Sequence, residues 1–301
     1  MKALVTGGLG FIGSNIIKAL NNRGANVYVI DDLNESNEYI LKTINFVDLI
    51  SKEKFHDDII RELDVDVVFH QGAITDTTFQ DETEMTRVNL GLSSNIFRQC
   101  KNNDVRLIYA SSAAVYGLGD NGFKEEPLCE SPLNIYGESK LRFDNFVRSQ
   151  ITKNQVVGLR YFNVYGQNEN HKAKMASPLN QFFHQAKKDG EIRVFEGSEN
   201  FHRDFICVED VVDVNMFFLE NQSVSGIFNC GTGDTATFQD AANVVSTVLE
   251  VPIKTTPFPD ILKGKYQAYT KSDVSKLRSV GYKKSFSNFK IAATSYAKSM
   301  L

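Results

Sequence analysis

Hydrophobic and polar positions along the first half of the chain repeat in one order. Lys2 to Thr6 is a short apolar run, residues 7–13 are rich in glycine, and Ile12, Ile16, Ile17 and Leu20 then recur at helical spacing, which predicts strand, loop and helix. Val27 to Ile30 predicts a second strand, Ile44 to Val47 a third, Lys52 to Leu63 a helix and Val65 to Phe69 a further strand. A long helix that includes Asn89 and runs to about Lys101 leads to a strand over Arg106 to Ala110; a helix begins at Tyr136, and Gln155 to Arg160 is again strand-like. Strands alternating with helices predict βαβ units, hence an α/β chain built on a Rossmann-type doubly wound parallel sheet. Past Arg160 the strict alternation fades. The expected division is a first domain over residues 1–160 and a smaller α/β lobe over residues 161–301, with some later segments free to return to the first. Helices over Ser177 to Lys188, Val208 to Glu220 and Phe238 to Glu250, with strands near Ile227 and Ile253, belong to that second part.

Composition acts by exclusion. The 301 residues are 42% hydrophobic and 23% charged, the balance of a globular chain. A net charge of −4 and a pI near 5.8 give no global attraction to nucleic acid or to anionic membranes, so any phosphate must be held by local groups. Cys100, Cys129, Cys207 and Cys230 are spaced neither as zinc ligands nor as a disulfide scaffold. They read as buried thiols in a reducing compartment, and no metal site is expected. Without a long apolar segment or a small-residue cleavage pattern, the cytoplasm is the expected location.

Candidate chemistry gathers where strands end. Glycines at 8, 10 and 13 satisfy G-x-G-x-x-G, and Gly7, Gly10 and Gly13 satisfy a wider-spaced variant. With a strand before and a helix after, this is the context in which backbone amides at a helix N-terminus cradle a dinucleotide pyrophosphate. Asp31-Asp32 ends the second strand about 20 residues on, where an acidic side chain meets the adenosine ribose; both could equally be solvated turn residues. His70-Gln71-Gly72-Ala73 closes a strand at the same sheet edge, and His70 reads as a hydrogen-bonded structural residue. Ser111 and Ser112 end another strand there, well placed to bond a reacting hydroxyl. Tyr136 and Lys140, four apart, share one helical face. A neighbouring ammonium should pull the phenol down from about 10 toward the working pH, making a base. Arg203 in an apolar setting asks for an anion, either Asp204 or a ligand phosphate.

Thr6-Gly7-Gly8-Leu9-Gly10-Phe11-Ile12-Gly13, a serine before Tyr116-Gly117, and Tyr136-x-x-x-Lys140 together resemble the extended short-chain dehydrogenase/reductase superfamily. The runs 160–166, His171-Lys172, 195–201, 203–205 and 262–267 resemble its heptose 6-epimerase family, and the resemblance covers nearly the whole chain. It implies an ADP-activated heptose whose C6 is inverted through a ketone, with a bound nicotinamide dinucleotide, NADP, reduced and reoxidised in one turnover. It also implies a homo-oligomer, a pentamer, and supply of heptose to the lipopolysaccharide core. By the same resemblance Tyr136 and Lys172 are the two acid/base groups, Lys140 orients the nicotinamide ribose, and Ser112, rather than Ser111, bonds the reacting oxygen. Without it, Lys172 would read as a solvated loop lysine.

The dinucleotide would then be held by Gly7, Gly10, Phe11, Ile12 and Gly13, by Asp31, Asp32 and Lys52, by Gln71, Gly72, Ala73, Ile74 and Thr75, and by Asn89, Tyr136, Lys140, Val164 and Lys172. The ADP-sugar would be held by Ser112, Asn163, Phe195, Glu196, Gly197, Ser198, Arg203 and Tyr266, with Arg203 on the diphosphate, and by Lys174 and Gln181, which stand where the family has serine and histidine. Asp32 and Glu38 replace an asparagine and a lysine that suit the 2′-phosphate of NADP. Their carboxylates repel a phosphate, so NAD competes unless Lys42 or Lys52 compensates. A nucleotide-sugar 4-epimerase shares the catalytic residues and is set apart by the substrate-lobe runs alone. A 4,6-dehydratase would carry an Asp-Glu pair where Ala113-Ala114 stand, and a non-catalytic dinucleotide sensor need not keep Ser112, Tyr136 and Lys140 together.

Overall fold

The computed structural model describes residues 1–259 and 267–301. In chain order the first part runs β1 (Lys2–Thr6), α1 (Phe11–Asn22), β2 (Asn26–Ile30), β3 (Asp48–Ile50), α2 (Ile59–Leu63), β4 (Val67–His70), α3 (Glu82–Met85), α4 (Ser93–Asn102), β5 (Arg106–Ser112), α5 (Ile135–Arg148) and β6 (Val156–Tyr161). There follow β7 (Asn163–Tyr165), α6 (Pro178–Asp189), β8 (Ile192–Phe195), β9 (His202–Arg203), β10 (Phe205–Cys207), α7 (Val208–Glu220), β11 (Gly226–Cys230), β12 (Ala236–Thr237), α8 (Phe238–Leu249), β13 (Ile253–Thr256), α9 (Ser275–Ser279) and α10 (Phe289–Ser299).

Seven strands form one parallel sheet in the order β11-β6-β5-β4-β1-β2-β3. Its inner strands are covered on both faces, which is why β4 and β6 are buried along their whole length and largely apolar, with His70 and Arg160 as their buried polar exceptions. One face packs on a core containing Ile16, Ile17, Val214 and Phe218, from α1 and α7. The other packs on Ile96, Phe97 and Phe143, from α4 and α5. The strand expected near Ile227 is β11, at the edge of this large sheet. A third core, with Leu179, Phe183, Ala241 and Val245, joins α6, α8 and α10 to β8 and β13.

After β1 the chain builds outward to β2 and β3, then returns to place β4 on β1's other side. The carboxyl ends of β1 and β4 are therefore a switch point, where connections leave in opposite directions and a ligand crevice opens. Gly7 sits there at φ 67, and a Cβ on it would come within 2.7 Å of the Gly72 Cα, so both the backbone angle and the close approach require glycine.

Two local expectations are corrected and a third is refined. Residues 44–47 are not a strand: the Asn21 side chain binds both backbone groups of Asn45, and pairing with β2 occupies Asp48 to Ile50 instead. Lys52 to Leu63 is not one helix, since a short 3₁₀ turn at Lys52–Lys54 precedes α2 and only Ile59 and Ile60 bring buried apolar side chains. The long helix through Asn89 contains a π-helical stretch, Thr86–Leu92, between α3 and α4.

Candidate active site

The glycine loop opens α1 with Gly10 as N-cap and no side chain capping it, leaving the first-turn amides as anion donors. Asp31, buried at the end of β2, accepts from the Leu9 amide at 3.0 Å and pairs with Lys52 Nζ at 2.9 Å. Asp32 is exposed; its Oδ1 accepts from the Lys52 amide and Ser51 Oγ, and Lys52 Nζ lies 3.5 Å from its Oδ2. These bonds and the Lys52 charge, against burial, hold the Asp32 carboxyl below its ordinary range. Lys52 thus bridges both aspartates, while Glu38 and Lys42 are exposed.

Along β4's end, the Gly72 amide donates to Thr6 Oγ1, and Gln71 Oε1 accepts from the Tyr161 hydroxyl while its Nε2 is buried without a partner. Ala73 and Ile74 are half-buried and Thr75 exposed. Asn89, in the π-helical stretch, grips the Ile74 backbone through both amide atoms, at 2.8 and 3.0 Å, and also donates to Ser139. A π turn re-aims one side chain out of helical register, a device common at functional sites. His70 lies between Thr6 Oγ1 at 2.6 Å and Ser93 Oγ at 2.8 Å, with burial and the Lys140 charge lowering it to about 3, so it is a neutral structural residue. An uncapped helix N-terminus, a tight glycine crossing, a carboxylate at the ribose offset and an orphaned Gln71 amide fit a dinucleotide lying across the switch point.

Ser111 and Ser112 part company: Ser111 Oγ donates to Asp144 in the interior, whereas Ser112 hydrogen-bonds Tyr136. Asn134 caps α5 by accepting from the Gly137 amide at 2.8 Å. A Cβ on Gly137 would lie 2.7 Å from the Ala114 carbonyl oxygen, so glycine lets the helix start press onto the turn after β5 and bring Tyr136 to Ser112. Lys140 is buried and donates to the Ala110 carbonyl at 3.0 Å. Burial lowers its pKa to about 8, with Asp144 opposing. The expected depression of the Tyr136 phenol is corrected: burial raises it, and the Ser112 hydrogen bond is what opposes the rise. Lys140 spends its contact on the strand backbone.

Lys172 lies on a 3₁₀ turn, Asn170–Met175, docked on the start of α1. Asn15 donates to the Gln167 carbonyl, Asn168 to Ser14 Oγ, and Lys172 Nζ stands 5.7 Å from the Phe11 ring centroid. Burial lowers the Lys172 ammonium, with Glu169 opposing. His171 beside it is lowered too, by burial and by the Lys172 charge. Glu169, almost fully buried, accepts from the Gly166 amide and from both the amide and hydroxyl of Ser177, fastening the turn at its two ends. Ala173 has φ 46 and ψ −116, a conformation that side chains rarely adopt. Lys174 is exposed and pairs with Asp76 at 3.3 Å; Gln181 donates to the Lys174 and Ala176 carbonyls, bracing the turn.

Val164 and Asn163 lie on β7, where Asn163 Nδ2 donates to the Asp204 carbonyl and Thr270 Oγ1. Phe195 is exposed and meets Phe258 edge-on; the Glu196 amide donates to Thr256, Gly197 has φ 81, and Ser198 Oγ donates to Gln239. Arg203 is buried, donates to the His202 and Gln267 carbonyls, and lies over the Phe238 ring. The Asp204 carboxylate instead takes bonds from Thr232, Gly233 and Ser272. Tyr266 and the run 262–266 lie outside the described residues. Sequence reasoning missed Glu169 and Asn168, whose role depends on partners that only folding brings near; the one local signal is their adjacency to His171-Lys172.

This site, on this fold, is that of a dinucleotide-binding enzyme. The chain belongs to the NAD dependent epimerase/dehydratase family, whose pattern matches residues 3–231. It is 47% identical, over 98% of its length and 96% of the relative's, to the ADP-L-glycero-D-manno-heptose-6-epimerase of Brachyspira hyodysenteriae. The crystal structure of the Helicobacter pylori ADP-L-glycero-D-manno-heptose-6-epimerase superposes with a TM-score of 0.86 at 27% identity, covering 99% of this chain and 96% of that one. A UDP-N-acetylglucosamine 4-epimerase from Methanobrevibacter ruminantium, in complex with UDP-N-acetylmuramic acid, superposes at 0.87 and 26%, covering 100% and 99%. Fold therefore does not separate a 6-epimerase from a 4-epimerase. Among the described residues no helix is long and apolar enough to cross a membrane.

Proposed function

We propose that this epimerase inverts C6 of the heptose in ADP-D-glycero-D-manno-heptose, giving the L-glycero epimer. The observation that carries it is the 47% identity to a heptose 6-epimerase over 98% of the chain, substrate lobe included. The nicotinamide dinucleotide supplies, when bound, a hydride acceptor that becomes the donor on the return. Tyr136 and Lys172 hold and move the proton of the C6 hydroxyl, one for each epimer, since the oxygen stays on C6 as the ketone while hydride is lost from one face and returned to the other, so that the two hydroxyls exchange their proton on different sides. Ser112 steers the reacting oxygen toward Tyr136, and Lys140 grips the nicotinamide ribose. The lowered Lys172 suits a group that must both give and take a proton. Arg203, Asn163, Tyr266 and residues 195–198 hold the ADP-sugar, with Lys174 and Gln181 supporting the turn. Alanines at 113 and 114, in place of an acid pair, disfavour elimination.

For the dinucleotide, resemblance carries NADP, while the charges around the adenosine ribose favour NAD. Asp31 and Asp32 share the single ammonium of Lys52, which leaves a net negative charge where a 2′-phosphate would sit. We further propose a self-associating, pentameric assembly working in the cytoplasm to supply heptose for lipopolysaccharide core; resemblance supports both, and sedimentation reads the first. The test is denaturing release of the copurifying dinucleotide, identified by mass, followed by addition of ADP-D-glycero-D-manno-heptose to the intact protein without added cofactor. Conversion to the L-glycero epimer is expected. Turnover of a UDP-hexose at C4 in its place would replace this reading with the 4-epimerase.

A further inference from the structure

Helix α5 carries Tyr136 and Lys140 near its start and Asp144 one turn beyond. Asp144 is fully buried; its Oδ1 accepts from the Tyr109 hydroxyl at 2.9 Å, and its Oδ2 accepts from Ser111 Oγ at 3.0 Å and from Arg160 Nε at 2.9 Å. Tyr109 and Ser111 stand on β5, the strand that ends at Ser112, and Arg160 stands on β6. One carboxylate therefore ties the helix bearing two site residues to the strand bearing the third. Arg160, itself fully buried, also binds Glu130, which Arg148 of α5 holds from the other side. Arg160, Asp144 and the Glu130 carboxylate are buried, and Arg148 reaches Glu130 from the surface.

We propose that Asp144 is a positioning residue for Ser112, Tyr136 and Lys140: it fixes the register of α5 on β5 and, one helical turn from Lys140, sets a carboxylate on the side of the helix that the buried lysine occupies. The proposal rests on the reading of Lys140 as the group that grips the dinucleotide. The surroundings of Lys140 support it. His70 approaches from β4 and is neutral above about 3, the Ala110 carbonyl comes from β5, Tyr136 and Asp144 lie on its own helix, and Arg160 and Arg148 stand behind Asp144. Burial alone drives Lys140 toward the neutral amine, and Asp144 is the charge that opposes it.

The test uses Asp144→Asn, which keeps the shape and removes the charge. Two profiles are measured against pH: epimerisation, and fluorescence-detected affinity for NADH or NADPH. In the parent both should fall as pH rises through about 8, where Lys140 loses its proton. In the variant both limbs should move down by about one pH unit, with affinity about fivefold lower at pH 8, where the protonated fraction drops from a half to about a tenth, and recovering as pH is lowered. Arg160→Gln, which frees the Asp144 charge, should move the limbs the other way and stands in should Asp144→Asn not fold. Tyr109→Phe and Ser111→Ala keep the charge and lose a tether, so turnover should fall a few-fold with the limbs unmoved. Unmoved limbs in both charge variants, or full turnover in both tether variants, would overturn the proposal. Shifted binding limbs in a protein that turns over no ADP-heptose would support it and sink the substrate reading instead.

Discussion

The two residues proposed to handle protons are mounted in opposite ways. Tyr136 rides at the capped start of a 14-residue helix, pressed onto the turn after β5 through Gly137 and anchored behind by the Asp144 cluster. Lys172 rides on a 3₁₀ turn with a strained residue next to it, held by one buried carboxylate and by contacts to the start of α1. The helix places its residue through local geometry, which spacing alone transmits. The turn places its residue through distant partners. The first arrangement serves a group whose position is fixed by the fold, the second a group whose position depends on a few bonds.

The largest effect that would sharpen this contrast comes from removing each residue in turn. Tyr136→Phe and Lys172→Met should each lower epimerisation about 10²–10⁴-fold while melting behaviour is kept, and at least one should retain partial exchange with a mimic aldehyde or ketone. Full epimerisation by either variant would break the two-base pairing. Next, Glu169→Gln puts an amide donor against the donors of Gly166 and Ser177; turnover should fall about tenfold or more, with about 1–3 kcal/mol lost in urea unfolding. Unchanged turnover would mean the turn does not need this anchor to present Lys172.

On the sheet side, Asp32→Asn with Glu38→Lys should raise affinity for NADP relative to NAD about tenfold, measured by competitive binding. No change would mean that these positions lie away from the 2′ oxygen. The smallest effect is expected at Ala173→Gly. Relief of the positive φ, less the entropy glycine adds to the unfolded chain, should stabilise by about 1 kcal/mol. A loss of stability would show that Ala173 is not strained, and the contrast between helix and turn would narrow.

Legibility followed the same division. Gly7, Gly10, Gly13 and Asp31 were legible because a strand, a turn and a helix start within one short segment leave a periodic signature. Tyr136 and Lys140 were legible because i to i+4 spacing is geometry written in sequence. The choice of Ser112 over Ser111 came from resemblance, and alternation along β5 supplies its physical cause, since Ser111 turns inward to Asp144. The strand expected at 44–47 slipped because a side chain on α1 claims Asn45, and the helix expected from Lys52 broke because Ser51 and Lys52 bind Asp32. Neither partner is within reach of a local pattern.

By itself the sequence determined the alternation of strands and helices, the glycine turn into α1 and the tyrosine-lysine spacing, because each depends on residues a turn or two apart. Tertiary structure decided the rest: Lys52 between two aspartates, Glu169 under the Lys172 turn, β11 at the sheet edge, and a tyrosine whose phenol burial raises instead of lowering. Charge, burial and hydrogen-bond partnership are properties of neighbours in space, and a chain of this length acquires those neighbours only by folding.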